Sequence, residues 1–89
     1  MKKHPLKYPI PIGKKTLDSL TFREYATAGD LLAFDEVGPT RQTIHLIANL
    51  TGTDTAVIER LHVADFRAAD RIATELIKPE SDEKNVPVS

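Results

Sequence analysis

Leu6, Tyr8, Ile10 and Ile12 alternate with Lys7, Pro9, Pro11 and Gly13. That period of two commits the start of the chain to a half-buried strand. Two of the alternating positions are prolines, which cannot donate ladder hydrogen bonds, so the strand belongs at a sheet edge. Gly13-Lys14-Lys15 reads as a turn, and Leu17, Ser19 and Thr21 alternate with Asp18, Leu20 and Phe22 in a second strand. Leu20 and Phe22 outweigh Leu17 as its buried face. An isolated hairpin is marginal in water and must lie on something apolar. The rest of the chain has to supply that surface.

Helical spacing takes over downstream. A short helix is expected over residues 28–35, with Thr27 as N-cap and Asp30 in its first turn, where a carboxylate suits the helix dipole. Leu31, Leu32 and Phe34 are expected to dock it, and Val37-Gly38-Pro39 to end it. Thr40 is expected to cap a second helix over residues 41–50, with Ile44, Ile47 and Ala48 on one stripe and Leu46 and Leu50 beside it. Gly52 ends that helix in the left-handed conformation. Thr53 or Asp54 caps a third, carrying Val57, Ile58 and Leu61, and His62-Val63 interrupts it. The last helix, residues 64–78, places Phe66, Ala69, Ala73 and Leu76 at helical spacing with Ile72 and Ile77 beside them. On its other face Arg67–Asp70 and Arg71–Glu75 are spaced to pair. The expected fold is α+β: an N-terminal β-hairpin packed on a small bundle of three to four short helices. Residues 1–5 read as a mobile leader, residues 6–78 as one domain, and residues 79–89 as a disordered polar tail.

Eighty-nine residues leave room for one modest core. With no cysteine, the chain has neither a disulfide framework nor a thiolate metal site. No apolar run approaches the ~20 residues needed to span a bilayer. Pro5, Lys7 and Pro9 fall where a signal peptide requires an apolar stretch, so a non-secreted protein is expected. The net charge of −1 conceals an asymmetry. Residues 1–15 carry five lysines and no acid, residues 16–79 carry six basic and ten acidic side chains, and residues 80–89 carry one and three. His4, His45 and His62 are too scattered for a metal motif. Ser19, Ser81 and Ser89 occupy no strand–turn–helix elbow. Four glycines do not compose a phosphate-cradling loop. No catalytic, cofactor or metal residue is assigned, and a non-enzymatic protein is expected.

Residues 41–61, RQTIHLIANLTGTDTAVIERL, admit two readings. Ala48, Gly52 and Ile58 fall where a helix-turn-helix wants a small contact residue, a turn glycine and a buried anchor. A DNA-reading regulator would then present Asp54, Thr55, Ala56, Glu59 and Arg60 to the groove. Two acids against one arginine suit a polyanion poorly, and no Asn, Gln or Lys is offered to base edges. Only the lysines of residues 2–15, as a groove-entering arm, support that reading. Charge disfavours nucleic acid.

The second reading rests on resemblance. Leu20-Thr21-Phe22-Arg23-Glu24-Tyr25-Ala26-Thr27-Ala28-Gly29-Asp30-Leu31 is similar to the L-x-x-R-E-P-T-A-G-D-L signature of the tail assembly chaperone family of Mu-like prophages and related contractile-tailed phages. Leu46 to Gly52, followed by Ile58, Leu61 and Asp65, resembles that family's second block. The likeness spans about residues 6 to 77, and Tyr25-Ala26 replaces the usual single proline. It implies a soluble escort that binds the apolar, helical tape measure protein until the tail tube polymerises around it. It further implies action in the bacterial cytoplasm and absence from the finished virion. In many relatives a frameshifted longer form recruits the tail tube protein, which would be a second partner. A structural component retained in the particle is a further possibility, and oligomeric state is left open. An amphipathic client helix needs an apolar groove, and the candidate lining residues are Leu32, Phe34, Leu46, Leu50 and Ile77.

Overall fold

The computed structural model describes residues 1–78; the expected disordered tail, residues 79–89, lies outside the described residues. Its strands are β1 (Lys2–Ile12) and β2 (Lys15–Phe22), paired antiparallel. Gly13 makes the two-residue turn possible by taking a left-handed φ of 61°. Leu20 and Phe22 face the core, as the alternation requires. Residues 2–5 are strand rather than leader: Lys2 stands opposite Phe22 and Pro5 opposite Ser19. Their pairing comes from β2, whose apolar end needs a partner, and not from any apolar pattern of their own.

The ladder breaks between Pro5 and Ile10. Pro5 pairs with Ser19 and Ile10 with Leu17, so Leu6, Lys7, Tyr8 and Pro9 stand opposite Asp18 alone. Such a bulge leaves backbone amides without ladder partners. The Lys7 and Tyr8 amides donate to the two carboxylate oxygens of Asp65, each at 2.9 Å. Asp65 lies in the first turn of the last helix and is 2% exposed. One buried carboxylate therefore fastens the irregular middle of the hairpin to the helices.

Three α-helices follow a 3-10 helix (Ala28–Asp35): α1 (Pro39–Thr51), α2 (Thr55–Ile58) and α3 (Val63–Ile77). The helix α1 begins two residues earlier than expected, with Gly38 rather than Thr40 as N-cap. Pro39 explains this, since its fixed φ and missing N–H suit the first helical position. Gly52 closes α1 with φ 64°. The Asp54 side chain caps α2 through the Ala56 amide, and His62 Nδ1 accepts from the Ala64 amide to cap α3. On α3, Glu75 pairs with Lys78 at 3.0 Å rather than with Arg71, and Asp70 accepts from Thr74 rather than from Arg67.

The core joins Leu6, Ile10, Leu20 and Phe22 of the hairpin to Ile47, Leu50 and Ile58 of the helices. Ala48, Ala69 and Ala73 keep the helix surfaces in that cluster small enough to close together. Removing the Asp65 carboxylate strands two amides at the hairpin–helix junction. Asp65→Ala is expected to lower the unfolding free energy by at least about 1–3 kcal/mol. Urea denaturation followed by circular dichroism measures this, and a near-neutral substitution would contradict the fastening role.

Candidate partner-binding surface

The segment between hairpin and α1 is held by Arg23, the first residue after β2. Its guanidinium forks onto Asp30, with Nη2 2.6 Å from Oδ1 and Nη1 3.0 Å from Oδ2. It also donates to the carbonyls of Tyr25 (3.2 Å) and Asn49 (3.1 Å), while its amide donates to the Leu50 carbonyl (3.1 Å). Asn49 and Leu50 lie in the last turn of α1, where carbonyls run out of i+4 amides, so Arg23 adds to the Gly52 cap from a distant element. Bidentate geometry makes this pair directional as well as strong. Asp30, 4% exposed, also accepts the Thr27 amide at 2.7 Å. The Arg23 hydrogen bond holds the Asp30 carboxyl below its usual range against the opposing effect of burial, assisted by the Thr27 amide. The same contact raises the Arg23 guanidinium.

Anchoring through Asp30 decides which side chains face outward. A 3-10 helix has three residues per turn, so residues three apart lie on one stripe. Asp30 and Ala33 form the inner stripe and are buried. Leu31, Leu32 and Phe34, expected to dock, instead point to solvent at 48%, 65% and 42% exposure. Val37 follows at 88%. The result is an apolar ridge. Beside it a shallow depression runs between Leu32 and Ala33 of the 3-10 helix and His45 and Asn49 of α1.

The five residues proposed to line a groove do not assemble into one. Leu32 and Phe34 lie on the ridge. Leu46 (3% exposed) and Leu50 (1%) are inside the core and have no surface to offer. Ile77, at the end of α3, is half-buried against that core. Leu31 reads as a docking residue because a 3.6-residue period places the leucines inward, and Val37 reads only as part of the Val37-Gly38-Pro39 stop. The three-residue recurrence of Asp30 and Ala33, both small or tied down, is the signal that would have exposed them.

Among the described residues no group of three potential metal ligands occurs, and no helix is long and apolar enough to cross a membrane. The histidines serve separate elements. His4 lies in β1, His45 stands 3.9 Å from Glu36, and His62 stacks on Tyr8 with ring centroids 3.9 Å apart. The helix-turn-helix reading fails on length. Ala48 and Ile58 are buried and Gly52 turns the chain, but α2 is a single turn of four residues. Arg60, its one basic neighbour, donates to the Pro11 carbonyl at 2.8 Å. A recognition helix must present several side chains to base edges along a groove, and this segment has neither the length nor the free cation.

A family model described as "Phage tail assembly chaperone proteins, E, or 41 or 14" matches residues 3–78. The chain belongs to that family. No curated protein and no solved structure matches it. In this tail assembly chaperone the motif residues Arg23 and Asp30 are one ion pair, Gly52 is a helix terminator and Asp65 is the hairpin fastener. The motifs thus build the scaffold, and the exposed apolar ridge lies next to them.

A lowered folded-state pKa means that Asp30 stabilises the chaperone fully above the ordinary carboxylate pKa, about 3.9. That contribution is lost as pH falls through the lower folded value. Asp30→Asn is expected to be less stable than the parent at pH 7, with the gap narrowing as acid protonates the parent. Urea midpoints at neutral and acidic pH test this, and parallel pH profiles would contradict it.

Proposed function

We propose that this tail assembly chaperone binds the tape measure protein through the ridge of Leu31, Leu32, Phe34 and Val37, keeping it soluble until tube subunits enclose it. The observation that carries the reading is this row of exposed apolar side chains on a segment clamped at its base, in a chain of this family. A tape measure helix before assembly has an apolar stripe with nothing to bury it. A ridge of aliphatic and aromatic side chains can pack between the side-chain rows of such a helix. Burying a Leu, Val or Phe is worth about 1.5–3 kcal/mol at most, before the cost of association. A few partly exposed ones suit a hold that tube polymerisation can displace. On this reading the protein acts without catalysis in the host cytoplasm and leaves before the virion is complete. A frameshifted longer form would add the tube protein as partner.

Co-expression with the cognate tape measure protein tests the reading. Soluble client co-purifying with the parent is expected, and Leu32→Asp and Phe34→Asp should abolish it while helical circular dichroism stays intact. Leu46→Asp should instead unfold the protein, because that side chain is core. Client that stays soluble with both ridge variants, or that ignores the parent, overturns the proposal.

A further inference from the structure

Arg23 holds the start of the ridge, and a different residue holds its far end. The 3-10 helix stops at Asp35, where its last carbonyls run out of following amides. Gln42, the fourth residue of α1, reaches back across that end. Its Nε2 donates to the Glu36 carbonyl at 2.9 Å and to the Phe34 carbonyl at 3.3 Å. Both partners only accept, so the amide nitrogen of Gln42 has to face them rather than its oxygen. The Gln42 backbone amide donates to the Gly38 carbonyl at 3.0 Å, where the chain turns with φ 98°. One residue therefore ties Phe34, Glu36 and Gly38 to α1, with Val37 carried between them.

Packing does little to hold this stretch. From Phe34 to Pro39 no side chain is buried, and Val37 is 88% exposed. His45, also on α1, stands 3.9 Å from the Glu36 carboxylate, beyond hydrogen-bond reach. The hold from α1 is thus made of the Gln42 bonds.

We infer that Gln42 is a positioning residue for the client surface, an inference that rests on the ridge as the place where the client binds. Gln42 fixes the backbone at the ridge's far end, so that Phe34 and Val37 stay presented alongside Leu31 and Leu32. A surface already held in its binding shape does not pay the cost of ordering when the partner arrives. Without Gln42 the segment populates other conformations, and apparent affinity falls with the fraction that remains competent.

Gln42→Glu tests this because it keeps the shape of the side chain and removes its donor. A carboxylate near the start of α1 suits the helix dipole, so a residue that mattered only to α1 would tolerate the change or gain from it. Positioning predicts the opposite for the client. In the full chain co-expressed with the cognate tape measure protein, Gln42→Glu is expected to co-purify about tenfold less client, as the competent population drops with the loss of both bonds. Its thermal unfolding should be unchanged or higher. The Glu36 amide, which donates to the Ala33 carbonyl at 3.2 Å, should exchange with solvent faster. Gln42→Lys, which can donate to the same carbonyls although its charge opposes the dipole, should restore capture.

Leu32→Asp runs beside these variants. Capture lost with Leu32→Asp but kept by Gln42→Glu overturns the inference and leaves the ridge standing. Capture kept by both overturns the ridge as client surface and this inference with it. Equal loss in Gln42→Glu and Gln42→Lys, with exchange at Glu36 unchanged, overturns the positioning role.

Discussion

A two-stranded hairpin with a four-residue bulge cannot hold itself in water, and in this protein its stability is borrowed through one carboxylate. Asp65 accepts the Lys7 and Tyr8 amides, the groups that the bulge removes from the ladder. Buried amides without partners would oppose docking of β1 on the helices. Satisfied by Asp65, they direct it. The apolar contacts of Leu6 and Ile10 with the helices can then form on either side of the same point. His62 stacks on Tyr8 and caps α3 beside Asp65, so the helix start and the bulge are organised together.

Arg23 plays the matching part at the hairpin's other end. It closes the C-terminus of α1 and grips Asp30, which fixes the 3-10 helix by its inner stripe. An unanchored apolar segment of this length would collapse onto the core to bury its leucines. Anchored through Asp30 and Ala33, it keeps Leu31, Leu32 and Phe34 outside. The half-buried ion pair thus sustains an exposed apolar surface that a small domain would otherwise avoid.

Much of this architecture was legible in the residues. Alternation in Leu6–Ile12 and at Leu20 and Phe22 identified the hairpin and its inward face, and Gly52 marked the end of α1. The two charged positions of the chaperone-like signature, Arg23 and Asp30, were visible as letters but not as partners, because their pairing depends on how β2 meets α1. Residues 2–5 were misread because their pairing is dictated by β2, not by their own pattern. The ridge was misread because helical periodicity assumes 3.6 residues per turn, and a 3-10 segment inverts which leucines are buried. Leu46 and Leu50 fall beside the stripe of Ile44, Ile47 and Ala48, and that position gives no sign of how completely the rest of the fold covers them.

Site-specific photo-crosslinking from the ridge tests the central claim most directly. A photoreactive amino acid replaces Leu32 in cells assembling tails, with the same probe at Tyr8 and Val63 for comparison. A covalent adduct with the tape measure protein from position 32, and none from position 8, is the expected result. Capture of that protein from position 8 or 63 but not from position 32 would contradict the ridge as the client surface.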